Sequence, residues 1–171
     1  MSTDVHFDHE YRCDEATFWD RVFFEDDYNE GLYKVALRFP KYEKLAFEDR
    51  GATIFRRVKA TPSQDAPGPI RSLMGGEFWY TEEATFDKAS KRLRFKTIPS
   101  KLAEKIAIEG TIRSQPAGEA AIRRIADVAI SVKIFGLGGT VEGFIAKQLK
   151  ESFERGARFT NEWLVKKGLA K

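Results

Sequence analysis

From Val128 to Lys167 the chain reads VAISVKIFGLGGTVEGFIAKQLKESFERGARFTNEWLVKK, and a change of period inside that stretch decides the fold. Val128, Ile130 and Val132 alternate with smaller or polar residues, as a strand with one buried side does. Across Gly136-Leu137-Gly138-Gly139 the spacing lengthens. Val141, Phe144, Ile145, Leu149, Phe153, Thr160, Trp163 and Leu164 then share one side of a helix. Thr140 is the expected N-cap, and a Glu142 carboxylate in the first turn would offset the exposed amides. About 27 helical residues at ~1.5 Å rise make a rod roughly 40 Å long. A rod with a single apolar side needs a broad apolar surface to lie on.

The preceding residues supply one. Val5, Phe7, His9 and Tyr11 alternate with Asp4, His6, Asp8 and Glu10, the pattern of a half-buried strand. Asp14 then caps a short helix, Glu15–Phe24, with Phe18, Trp19 and Val22 inward. The segment DDYNEGLYKVAL continues as a second helix, with Tyr28, Leu32, Val35 and Ala36 on one side. From Pro40 the pattern is strands. Lys41–Glu48 and Ala52–Thr61 are joined by the turn Asp49-Arg50-Gly51. Residues 62–69 hold three of the six prolines and form a loop, which leads to a helical turn at Ile70–Met74. Glu77–Phe86, Lys91–Thr97, Glu104–Ser114 and Ala120–Lys133 complete the strands. The fold class is therefore α+β: about seven strands in a curved antiparallel sheet, two short helices after the first strand, and the long terminal helix gripped by the sheet.

Length and composition bound this further. With 171 residues, 42% of them hydrophobic, the chain is expected to be a single domain spanning 1–171. No run of eighteen apolar residues exists to span a membrane as a helix. The start, MSTDVHFDHE, has no secretory pattern and Cys13 is the one cysteine, so a cytoplasmic location is expected. Residues 1–50 carry 7 Lys/Arg against 13 Asp/Glu, and the remaining residues carry 22 against 13. A basic second half admits anionic lipid or nucleic acid as partners, but its charges alternate in sign along strands as a solvated surface does.

Several chemistries are missing. Gly136 and Gly138 begin a dinucleotide-type pattern that fails at Val141, and no phosphate-binding Gly-Lys-Ser/Thr or G-x-S-x-G elbow occurs. His6 and His9, three apart on a strand, face opposite ways, so no metal is expected. No cofactor is implied. Aromatic RNA-binding signatures are absent, so nucleic acid is not an expected partner. Glu82 and Glu83 likewise face apart and read as two rim or solvent carboxylates.

The segment from Val128 to Leu164 resembles the signature end of DUF2505, a family of bacterial proteins of unknown function. Val132-Lys133, Gly136, Gly139, Glu142 and Phe159-Thr160-Asn161-Glu162-Trp163-Leu164 carry the likeness. That family is similar to the wider StART-like (SRPBCC, Bet v 1-like) helix-grip superfamily, whose β-α-α-β₆-α order is the one read above. The resemblance implies a cavity between sheet and helix that binds, and in some members transfers, a hydrophobic small molecule such as a sterol, fatty acid or phospholipid. It also implies transient contact with a membrane surface, and a mouth flanked by the turn Ile134–Gly139, where Phe135 and Leu137 either tuck into the core or form a gate. Residues 62–74 would form the opposite lip.

The candidate ligand-binding residues follow from parity. Leu93 and Phe95 share a face, as do Ile106, Ile108 and Ile112 around Gly110, and Ala126, Val128 and Ile130 on the last strand. Phe144, Gln148, Leu149 and Ser152 would form the lid, with Gln148 and Ser152 either bonding a ligand or meeting water at the stripe's edge. Trp79 is included, although the inward parity of 77–86 is open between Trp79 and the set Phe78, Tyr80, Ala84 and Phe86. Arg56 and Arg124 have inward parity and are expected to snorkel to the rim. No catalytic residue is assigned. The alternatives are a cyclase- or hydratase-like enzyme with Glu83 or Glu109 as pocket acid, and a ligand-free protein-interaction module with a filled interior.

Overall fold

In the computed structural model, which describes residues 2–171, the chain opens with strand β1 (Thr3–Tyr11). Helices α1 (Glu15–Arg21) and α2 (Asp26–Glu30), the second continuing as a π-helical stretch over Gly31–Ala36, carry it to the far edge of the sheet. There β2 (Lys41–Asp49) and β3 (Thr53–Thr61) form a hairpin, followed by the short helix α3 (Gly68–Met74). Strands β4 (Tyr80–Asp87), β5 (Arg92–Pro99), β6 (Ile106–Pro116) and β7 (Ile122–Val132) then step back until β7 pairs with β1. The order is β1-β7-β6-β5-β4-β3-β2, antiparallel throughout, and helix α4 (Gly138–Lys166) crosses its inner face. This is the helix-grip architecture that the period change calls for.

Asp14 caps α1 by accepting the Thr17 amide hydrogen at 2.8 Å. The Lys171 ammonium, with the Thr17 amide, holds the Asp14 carboxyl down at about 2, so one side chain starts a helix and ties down the C-terminus. The helix ends at Arg21, earlier than its apolar pattern suggests, and Val22 is buried just beyond it.

The second helix departs from its expected face. The wide π turns shift the phase after Gly31, so Tyr33 is buried against Tyr42 while Val35 is exposed. Gly31 is needed there: a Cβ would lie 2.7 Å from the Phe159 ring.

Helix α4 also starts elsewhere than its sequence suggests. It begins at Gly138, not after Thr140, because the Gly138 amide bonds to the Ile134 carbonyl at 2.8 Å and winds the preceding turn straight into the helix. Glu142 is buried and does not offset the helix amides. Its carboxylate accepts the Val132 amide at 2.9 Å and the Thr3 hydroxyl at 2.8 Å, and these bonds hold it below the usual carboxylate range. The helix is thus pinned to the ends of β7 and β1. Near its other end Tyr28 donates to Thr160 at 2.7 Å, and Thr160 donates to the Gly156 carbonyl. The Asn161 amide bonds the Glu10 carbonyl and the Arg12 amide, while Trp163 meets Tyr28 edge to face. Between these clamps α4 lies along β1 and β7.

The core sits on the inner face and is densest under α1. Trp19 stacks on Phe86 at 4.2 Å, Phe18 meets Trp19 at 4.8 Å, and Phe7 stacks on Phe153 at 4.4 Å. The Trp19 indole donates to Ser114, which donates to Glu15, so the buried ring leaves no polar atom unmet. Gly110 on β6 makes room for Phe95: a Cβ there would lie 2.7 Å from both the Phe95 ring and the Asp127 carbonyl.

Two outcomes follow. Gly110→Ala overpacks this contact and costs about 1–3 kcal/mol, read as a lower denaturant midpoint at unchanged m-value. Asp14→Ala costs about 1 kcal/mol at neutral pH. Because a depressed carboxyl stabilises only while ionised, that difference holds above pH 3.8 and closes as pH falls toward 2. An equal loss at both ends of the range would show that the ionised carboxylate is not what holds the cap.

Candidate ligand cavity

The inner face is filled at one end and hollow at the other. A cavity of about 570 Å³ opens where β4 and β6 begin and β5 ends, the reverse end of the sheet from the α1 aromatics. Its floor is Phe78, Tyr80, Thr97, Ile106 and Ile108. Its roof is the α4 side chains Val141, Phe144, Ile145, Leu149 and Ser152. The third wall comes from Ala66 in the proline-rich loop and from Ile70, Leu73 and Met74 of α3, so residues 62–74 do form a lip. Leu37 and Phe39, just past the π-helical stretch, close the side nearest β2. Charged and polar groups, among them Arg38, Asp65, Lys101, Gln148, Glu151 and Arg155, complete the lining. The walls are mostly apolar and the volume lies in the range of small-molecule sites.

The candidate residues divide by position along the sheet. Ile106, Ile108, Phe144, Gln148, Leu149 and Ser152 line the cavity, with Gln148 largely exposed at its edge. Leu93, Phe95, Ile112, Ala126, Val128 and Ile130 do face inward, but they are buried in solid packing and do not line the hollow. Phe95 stands at the divide, because its ring fills the space that Gly110 leaves.

Three candidates lie elsewhere. Trp79 is on the outer face, with the Lys59 ammonium 4.6 Å from its ring centre, and the inward set is Phe78, Tyr80, Ala84 and Phe86. Phe135 is fully exposed, and Leu137 is half-buried against the core. Neither they nor the rest of the turn 134–139 reaches the cavity wall, so that turn does not gate this mouth. The clamping of Glu142 onto β7 draws the turn toward the β1 edge. The pairing of Ala84 and Phe86 as two apolar residues at one parity is the signal that could have placed Tyr80 and Phe78.

Both inward arginines stay inside and do not snorkel. Arg56 is 4% exposed; it donates to the Asn29 side chain at 3.2 Å and to the Glu82 carboxylate at 3.4 Å, under the Phe23 ring. Burial pushes the Glu82 carboxyl up, against the pull of Arg56. Glu82 is therefore the inward carboxylate of the pair, while Glu83 faces out to Arg57 and Lys96. Glu109 is exposed on the outer face beside Arg94 and Asp127. The two acids of the enzyme alternative thus lie on the wrong side of the sheet. Arg124 is caged between the Tyr11 and Phe153 rings and bonds His9 at 3.0 Å. Burial, with the neighbouring Arg124 charge, lowers the His9 pKa and keeps that ring a neutral acceptor.

Removing the arginine isolates Glu82. Arg56→Met leaves the Glu82 carboxylate, 19% exposed, without its guanidinium and costs about 3 kcal/mol at pH 8, the low end for a broken buried pair. The raised Glu82 carboxyl loses stability as pH climbs from its unfolded value of 4.5 through its folded one, so the loss is smaller at about pH 5. Denaturant unfolding at both pH values checks this, and a pH-independent loss would contradict it.

Comparison with known proteins agrees with the geometry. The sequence model of the family described as protein of unknown function (DUF2505) matches residues 6–164. No curated protein matches the sequence. Among solved structures, a START superfamily protein from Mycobacterium smegmatis is similar at 14% identity and TM-score 0.60, over 95% of this chain and 97% of that one. Norcoclaurine synthase from Thalictrum flavum, in complex with dopamine and hydroxybenzaldehyde, is similar at 18% identity and TM-score 0.62, over 95% and 88%. The Zhui aromatase/cyclase from a Streptomyces species is similar at 12% identity and TM-score 0.59, over 95% and 90%. At these identities the likeness is one of fold.

Proposed function

The chain belongs to the DUF2505 family, and from its StART-like fold and its one-ended cavity we propose that it binds a hydrophobic small molecule between the sheet and α4. The observation that carries this reading is the hollow itself: about 570 Å³ walled by Ile106, Ile108, Ile70, Leu73, Phe144 and Leu149 in a domain otherwise densely packed. A void of that size forfeits packing on every side unless something fills it. Each 100 Å² of ligand apolar surface removed from water contributes roughly 2.5 kcal/mol. Micromolar binding needs about 8 kcal/mol net, so several hundred Å² of contact leave a margin for ordering costs.

A sterol- or fatty-acid-sized molecule suits these walls. Binding is non-covalent, and the ligand is held by shape and burial. Collection from or delivery to a membrane surface is the second half of the reading, and the fully exposed Phe135 is the side chain that supports it. Among the described residues no helix is long and apolar enough to cross a membrane.

Native mass spectrometry of the purified protein, followed by organic extraction, tests the proposal and is expected to reveal a co-purifying apolar molecule. Ile108→Trp places an indole in the hollow and should cut that signal several-fold while the protein still unfolds cooperatively. An undiminished signal would move the site away from this cavity.

A further inference from the structure

The cavity is apolar inside but ringed by charges from four parts of the chain. Arg38 comes from the link between the π-helical stretch and β2, Lys101 from the β5–β6 loop, and Glu151 and Arg155 from α4. Asp65 comes from the loop before α3. None of these five has an ion-pair partner within 4.0 Å, and none makes a side-chain hydrogen bond, among the described residues. Glu151 and Arg155 stand one helical turn apart and offset each other in part. Asp65 offsets one of the two remaining cations. The rim is left with one net positive charge facing an apolar interior.

The backbone around those cations is held in an uncommon shape. Only three non-glycine residues have positive φ among the described residues, and two of them, Arg38 at 58° and Leu102 at 60°, stand on the wall of this cavity. L-residues adopt that conformation at a cost, and such residues gather at ligand clamps. Here they turn the chain so that Arg38, and Lys101 next to Leu102, border the same opening.

Volume restricts the body of the ligand. A space of about 570 Å³ lies within the range of drug-sized small-molecule sites. That scale suits a single chain or one fused ring system better than a lipid with two long acyl chains.

We infer that the ligand is a monoanionic amphiphile, a single apolar chain or ring system bearing one carboxylate, which rests among Arg38, Lys101 and Arg155 while the apolar body lies between Ile108 and Leu149. This rests on the proposed function of the cavity. The rim discriminates by charge and the interior by shape. A carboxylate gains charge-assisted hydrogen bonds there that a neutral head does not, and an ammonium head meets net repulsion.

Calorimetric titration of the full chain with dodecanoate, dodecanol and dodecylamine tests it, because the three share one tail. Dodecanoate is expected to bind about tenfold more tightly than dodecanol, a gap of about 1.4 kcal/mol, and the preference shrinks at high salt. In the double variant Lys101→Gln with Arg155→Gln the ratio of the two affinities falls toward one, with cooperative unfolding as the check on folding. Lys59→Gln, which removes a cation from the outer face over Trp79, leaves the ratio as it was. Equal affinities for acid and alcohol in the unaltered protein overturn the charge assignment and leave the cavity reading standing. A preference for the amine overturns it in favour of Asp65 and Glu151. Failure of all three to bind removes the cavity reading and this inference together.

Discussion

Everything in this molecule depends on how α4 is fastened. The helix is clamped to the sheet near both ends, but only along one edge. Glu142 reaches back to the Val132 amide and the Thr3 hydroxyl, and Asn161 holds the Glu10 carbonyl and the Arg12 amide. Tyr28 and Trp163 add a polar and an aromatic contact on the side of α2. A straight rod fixed to β1 and β7 cannot also follow a sheet that twists away from it. The space between the rod and the starts of β4 and β6 has to be filled by something else, or left open.

The aromatic residues answer that question differently at the two ends. Under α1, Phe18, Trp19 and Phe86 interlock and close the interior. Phe95, seated on Gly110, is the last of the filled layers. Beyond it Thr97, Ile108 and Ile106 on the central strands do not bridge the gap to Phe144 and Leu149, and Phe78 and Tyr80 border the space without closing it. The lip of α3 covers the opening without filling it. The residues that mark the family likeness, Glu142 and Phe159 through Leu164, serve the clamps and do not touch the cavity. They specify the frame and are silent about the guest.

Charges inside the frame are rigid, while those at the rim are free. Arg56 and Arg124 are stacked against aromatic rings, and each has a buried Nε without a hydrogen-bond partner. A guanidinium tolerates this because the ring faces and the Glu82, Asn29 or His9 acceptors replace part of its hydration. Each arginine sits only one strand in from a sheet edge, and it is these ring and acceptor contacts that keep it inside. Arg38, Lys101 and Arg155 have no such partners and meet solvent at the opening. The interior ions are therefore held by the protein's own groups, and the rim ions are left to meet whatever enters.

Local periodicity was enough to establish the strands, the long helix, the Asp14 cap and the inward parity of Leu93, Ile108, Ile112, Ala126 and Val128, because burial on one face imposes alternation on the chain itself. The same alternation carries no information on where along a strand the interior is solid. Ile108 and Ile112 read alike, yet one lines a cavity and the other does not, since that depends on α1 and α4 packing across from them. Parity was ambiguous at Trp79, just before β4, where the run Phe78-Trp79-Tyr80 puts large side chains on both faces. The phase of the π-helical stretch and the true start of α4 were equally out of reach. The first goes with a distant contact, Gly31 against Phe159, and the second with the Gly138 amide on the Ile134 carbonyl, a backbone bond that leaves no mark in the side-chain pattern.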